Sequence, residues 1–267
     1  MTENKHSLID IHLLPEETVN ALLKPAATSL GNAVGDILNS VFNLTLHPLR
    51  KYNIVKTSDL EQFAKEINES TSEIPVENRD SSKMGLVLKT IEDSKFQLND
   101  DTMRKLFAQL IANLVDDRRN NQITPRYSEI LSNMTPREAY LINYIFNNDT
   151  VIPVGKINRR AGEFHQYNSG KQDFLIFDGT KIEGDPDDWD TVDHSYTLDL
   201  SLLKGANLIE LKETALSDSD NQRLYIHFDK YVETEFTNKS TGYQHIPLHY
   251  FYKLTSLGES FCSFVIG

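Results

Sequence analysis

The sequence predicts an α+β fold: a helical bundle over residues 1–125, followed by a mixed α/β module over residues 126–267. Three observations predict it. Apolar residues in the first half recur at helical spacing, whereas the second half carries short β-prone runs beside turn residues such as Asp178-Gly179. Charge is also divided unevenly: the first half holds 14 Lys+Arg against 18 Asp+Glu, the second 13 against 21. At 267 residues the chain is long enough for one large or two modest units with their own cores. Its 39% hydrophobic and 25% charged content excludes wholesale disorder. A single cysteine, Cys262, excludes an intrachain disulfide.

Pro15-Glu16-Glu17 opens a first short helix towards Leu23, and Lys24-Pro25 breaks it. Between Ala26 and Leu49 the only charged residue is Asp36. Leu30, Val34, Ile37, Leu38, Val41 and Phe42 fall there on one helical stripe, with Asn32, Asp36, Asn39, Ser40 and Asn43 opposite. Too many polar residues interleave for a spanning helix, which needs about 20 mostly apolar residues. Gly31 and Gly35, four apart, permit close backbone approach. Two readings stay open: a soluble helix packed on the bundle, or a conditional membrane or self-association helix. His47-Pro48 ends it.

Ser58 and Glu61 form the S-x-x-E pattern of a capping box before Leu60, Phe63, Ala64 and Ile67. Asn68 to Pro75 reads as a polar linker, and a helix resumes over Lys83 to Ser94 with Met84, Val87, Leu88 and Ile91 on one side. The clearest periodicity is Met103, Leu106, Phe107, Leu110, Ile111, Leu114 and Val115. Asp100 and Asp101 stand at the start of that segment and Arg118 and Arg119 at its end, as a helix dipole favours.

In the second half, Thr135-Pro136-Arg137-Glu138 is a capping box with proline at the first helical position, opening a helix through Phe146. Asp173 to Glu183 reads as an inserted hairpin around Asp178-Gly179. Residues 183–199 hold seven acids and no Lys or Arg. A helix near Ser201 ends at Lys204-Gly205, and Leu208 to Leu211 follows as a strand. Leu224 to Phe228 and Ile246 to Leu254 are further strand candidates, and Thr255 caps a last helix whose inner side holds Leu257, Phe261 and Phe264. A capped helix, a later helix, a strand, a ribbon and a terminal helix follow the order of a winged helix-turn-helix. The module is therefore expected to be winged-helix-like.

Three stretches together resemble the abortive-infection alpha (Abi-alpha) family of bacterial phage-defence proteins. They are Leu30 to Leu38 leading to Pro48-Leu49-Arg50; Met103 to Ala112 continued through Asp117-Arg118-Arg119 to Pro125 and Ile130-Leu131; and Met134 to Ala139. Tyr252 to Phe261 is similar to the family's ending. The resemblance implies a bacterial cytosolic protein of phage defence and carries over no catalytic residue.

No enzyme motif is present. Gly170-Lys171 lacks the earlier glycine and the following Ser or Thr of a phosphate loop, and G-x-S-x-G, H-E-x-x-H and C-x-x-C are all missing from the sequence. Cys262 beside Phe261 and Phe264 reads as an inert buried thiol. His245 and His249, with His227 upstream, lack a fixed zinc motif. The run Asp185, Asp187, Asp188, Asp190 and Asp193 around Trp189 lacks the EF-hand order and reads as a solvated loop. No cofactor or metal is expected.

Lys156, Arg159 and Arg160 form the one basic cluster of the second half, while only Lys204 is basic between Leu198 and Glu210, where a DNA-reading helix would carry bases. Protein contact, by a phage or host partner or a second copy, is therefore expected rather than nucleic acid. The chain is expected to be cytoplasmic, with conditional peripheral membrane contact through Leu30, Gly31, Val34, Gly35, Ile37, Leu38, Val41 and Phe42. The rival readings are a winged-helix nucleic-acid-binding regulator and a metal-dependent hydrolase or nuclease built on the acidic run.

Overall fold

Helix α1, Thr57–Ser72, turns Leu60, Phe63 and Ile67 inward at the spacing the sequence predicts. It belongs to a computed structural model that describes residues 56–148, 151–161, 165–167, 174–175, 196–213, 225–226, 228–230, 232–234 and 243–267. Two expectations fail at this helix. The capping box does not form: Lys56 is the N-cap without a side-chain bond, and Ser58 Oγ bonds Asp59 instead. The polar linker also starts later than expected. Thr71 and Ser72 donate their hydroxyls back to the carbonyls of Ile67 and Glu69, so this polar stretch continues the helix.

The chain forms two compact units, residues 1–136 with Phe264–Gly267, and Arg137–Ser263. The first is built from helices α1, α2 (Met84–Ser94), α3 (Asp101–Leu114) and α4 (Pro125–Ser132), with 3₁₀ turns at Val76–Asn78 and Asn120–Gln122 and one isolated bridge between Arg79 and Asp116. Helix α3 is the hub, packing on α1, α2 and α4. Asp100 caps it by accepting the Met103 amide at 2.9 Å, and Met103, Leu106, Phe107, Leu110 and Ile111 are buried. Burying each large apolar side chain contributes about 1.5–3 kcal/mol.

The basic end expected of α3 is not there. The helix stops at Leu114, because the following backbone pairs sideways: Asp80 N–H donates to the Val115 carbonyl and Asp117 N–H to that of Asn78. Arg118 lies past the helix end and forks back onto Asp116.

Inside this unit Arg104 reaches Glu66 at 3.2 Å, with both side chains only 6% exposed, and donates also to the Leu98 carbonyl and to Asp101. The chain's end is gripped here too. Asn113 donates to the Phe264 carbonyl at 2.8 Å, the Arg119 guanidinium stands 5.0 Å from the Phe264 ring, and Tyr127 stacks at 6.0 Å.

The second unit is mixed, so the fold is α+β. Helix α5, Pro136–Asn147, starts at the expected proline. Strands β1 (Ile152–Ala161), β2 (His165–Tyr167), β3 (Phe174–Leu175), β4 (Ile209–Lys212) and β5 (Tyr243–Leu254) form one antiparallel sheet of order β2-β1-β5-β4, with β3 also on β1. The β1–β5 pairing is the spine, running from Ile152 opposite Tyr252 to Ala161 opposite Tyr243. Strand β1 was not foreseen. Pro153 and Gly155, both poor strand formers, break its pattern. Of the expected hairpin, Phe174–Leu175 pairs with Val154 and Gly155 of β1, and residues 176–182 lie outside the described residues.

Helix α6, Thr197–Gly205, leads into β4 through a Schellman motif: Leu208 N–H donates to the Leu203 carbonyl and Asn207 N–H to that of Lys204. Asn207, at φ 63, takes the left-handed position, so Gly205 is an ordinary helical residue. Helix α7, Ser256–Val265, is capped by Thr255, whose hydroxyl accepts the Gly258 amide and donates to the Asn207 carbonyl.

The expected strand at Leu224 to Phe228 is a correction: Tyr225, Ile226 and Phe228 are helical, as is Val232. Tyr225, Phe228 and Val232 are buried and Ile226 is exposed, a period near 3.6 rather than 2. Phe228 sits on Gly155, where a β-carbon would collide with its ring.

Candidate interaction surface

Helix α6 is built from Thr-Leu-Asp-Leu-Ser-Leu-Leu-Lys-Gly. Only one face can be inward. Asp199, Leu200 and Leu203 take it and are buried. The Asp199 carboxylate accepts from Arg137 Nε of α5 at 3.2 Å, and the Arg137 guanidinium stands 4.4 Å over the Tyr196 ring. With the helix rotation fixed this way, Leu198 and Leu202 point out, at 68% and 46% exposed. Four residues apart, they share a face. Ser201 and Gly205, also exposed, complete an uncharged i, i+3, i+4, i+7 stripe beside Lys204. A lone exposed leucine needs no explanation, but two on one face are methyl-rich surface with no group to bind phosphate. The stripe suits apolar contact.

Sequence reasoning did not single out this stripe. The signal was present: α6 carries four leucines in nine residues, more than one face can bury.

The interaction residues named from the sequence, Leu30, Gly31, Val34, Gly35, Ile37, Leu38, Val41 and Phe42, lie outside the described residues. So do the acidic run from Asp185 to Asp193, Trp189 and His227. Lys156, Arg159 and Arg160 lie along β1, opposite Leu248, His245 and Gln244 of β5.

His249 is engaged by protein groups. Its Nε2 is 2.7 Å from Asp229 Oδ1, and its ring stacks 4.3 Å from Tyr225. The Tyr225 hydroxyl donates to the Tyr250 carbonyl. These contacts tie the helical residues around Phe228 to β5. Cys262 is fully buried, and burial pushes its thiol up to about 12, so the thiolate that would act as a nucleophile is scarce at neutral pH. Among the described residues no group of three His, Cys, Asp or Glu side chains could hold a metal ion, and no helix is long and apolar enough to cross a membrane.

No curated protein and no solved structure matches the chain. The family model of abortive infection alpha matches residues 55–265, reaching into both units and covering most of the sequence. That span contains the Met103 to Ala112, Met134 to Ala139 and Tyr252 to Phe261 stretches and leaves Leu30 to Arg50 outside it. The chain belongs to the abortive infection alpha family.

Proposed function

We propose that this chain is a bacterial phage-defence protein of the abortive-infection type that acts by protein contact or conditional membrane contact, with no identified catalysis. Family membership supports the defence role. The observation that carries protein contact is the outward face of α6. It holds Leu198 and Leu202 at the position where a nucleic-acid reader would carry bases. In this reading the second unit is a winged-helix-like recognition module. Its sheet core, β1-β5-β4 with α6 leading into β4, supports that architecture. The stripe Leu30 to Phe42 is the conditional self-association or peripheral membrane element of an otherwise cytoplasmic protein.

Expression in a phage-challenged host is the test. Fewer plaques with at least one phage class are expected, and unchanged plaque numbers across a broad panel would overturn the defence role. Ile37→Asp with Val41→Asp is expected to abolish protection while the circular-dichroism melt of the purified chain is retained. Retained protection would remove the Leu30 to Phe42 stripe from the mechanism.

The winged-helix-like strand order also favours a second reading, a nucleic-acid-binding regulator. Gel shifts at low salt decide it, because phosphate contacts give affinity that falls steeply with added salt. The net charge of −12 and the leucines of α6 weigh against it.

A further inference from the structure

We propose that residues 264–265 are a clasp: a separable turn of α7 whose docking completes the first unit, and whose release opens that unit at α3 and α4 while the second stays folded. The division of the chain motivates it. Arg137–Ser263 form the second unit, but the next residues, Phe264–Gly267, belong to the first. A single helix, Ser256–Val265, therefore carries residues of both. Phe264 and Val265 are 4% and 1% exposed, so they are core of the first unit, supplied from 151 positions beyond the Asn113 that Phe264 meets.

The first unit holds a fitted receptor for this turn. The final carbonyls of a helix have no partner within it. Phe264 carries one of them, and the Asn113 side-chain amide donates to it at 2.8 Å. Asn113 is itself buried and also donates to the Gln109 carbonyl at 3.1 Å. Undocking the turn would strand one N–H of that amide as well as uncover the Phe264 ring. Tyr127 stacks on the ring at 6.0 Å, and the Arg119 guanidinium stands 5.0 Å from it. These three groups come from α3, from the connection after it and from α4, so one turn ties three consecutive pieces together.

Size and tether distinguish a clasp from ordinary core. Two side chains on one turn can leave together without moving α1 or α2, which pack on α3 by their own buried faces. The tether, residues 256–263, belongs to the second unit, and Phe261 and Cys262 within it are fully buried. Local opening of this kind exposes nearby amides and leaves remote ones protected.

Hydrogen exchange on the full chain is the test. Phe264→Ser with Val265→Ser is expected to speed amide exchange about tenfold or more between Leu110 and Leu114 and in α4. The amides of β1 and β5 are expected to exchange as in wild type. Phe264→Leu keeps the apolar bulk and removes the ring that Tyr127 and Arg119 face. It is expected to give the same pattern at smaller size, and it decides the matter if the double variant fails to fold. Phe107→Ala, in the middle of α3, is the contrast: it should speed exchange across α1, α2 and α3 together.

Unchanged exchange in α3 and α4 overturns the proposal, because the first unit is then complete without the turn. Equal acceleration in β1 and β5 overturns it too, because the turn then belongs to one cooperative core and is not a clasp.

Discussion

The two units differ in how many polar side chains they bury: among the described residues nine, from Glu66 to Ser128, in the first, and Glu138 and Asp199 in the second. In the first, buried charged and amide groups are matched: Arg104 with Glu66, Asp116 with the half-exposed Arg118, Asn120 with Asp80. In the second, the sheet core closes over Tyr252, Phe228 and Leu203, while leucines on α6 stay in water. A buried charged network fixes one arrangement of helices and tolerates little change. An exposed apolar stripe adds nothing to stability and is explained by what it meets. The first unit also leaves Phe96 and Val76 exposed, at 70% and 52%, but apart from each other in the chain, whereas Leu198 and Leu202 share one helix face.

Breaking the internal network should give the largest effect. Arg104→Ala takes the guanidinium away from Glu66, leaving that buried side chain only the Gln62 amide, and is expected to cost about 3–5 kcal/mol of stability. Replacing both partners, Arg104→Met with Glu66→Leu, removes the stranded charge and is expected to recover most of that loss. Denaturant midpoints of the two variants read the difference directly. If the double variant is no more stable than Arg104→Ala, the bonds to the Leu98 carbonyl and Asp101 matter more than the pair itself.

The second unit is expected to be most sensitive where backbone meets backbone. Gly258 opens α7 directly against the Leu208 carbonyl, and an added β-carbon would run into that oxygen. Gly258→Ala is therefore expected to cost about 1–3 kcal/mol, the range for overpacking a filled site. Gly205→Ala, with open space around it, should be neutral or slightly stabilising because alanine favours the helix. Thermal melts of the pair sharpen the comparison: two glycines flanking one connection, one required and one not.

What the sequence revealed follows the same division. The buried faces of α1, α2 and α3 were legible because local periodicity and burial coincide there, as at Phe63, Val87 and Phe107. Ends were less legible. The arginines after α3 looked like a dipole match, yet the helix stops early because residues 78–80 supply long-range backbone partners that no local pattern encodes. Strand β1 was hidden for a related reason: its pairing with β5, about 90 residues later in the chain, overrides the poor propensity of Pro153 and Gly155. Tyr225 and Phe228 are three apart, a spacing that fits a helix, but five residues were too few to separate period 2 from period 3.6. The α6 stripe needed the partners of Arg137, because composition shows that some leucine must be exposed and only the rotation shows which.

The smallest effect is expected at the rim of the first unit, where Asp116 is buried but its partner Arg118 is half exposed. The guanidinium hydrogen bonds of Arg118 hold the Asp116 carboxyl below its ordinary value, against the opposing effect of burial. A depressed native value means the unfolded chain takes up the proton first as pH falls. The contribution is therefore complete above about pH 4, near the unfolded aspartate value, and disappears as pH falls through the native one. Because Arg118 is open to solvent, the contribution of the pair is small and falls further at high salt. Asp116→Asn is expected to lower stability slightly at pH 7 and to flatten the decline between about pH 5 and pH 2. Urea titrations of both proteins across that range, with and without added salt, measure it. An unchanged slope would mean that the Arg79–Asp116 backbone bridge, not the side-chain pair, holds this corner.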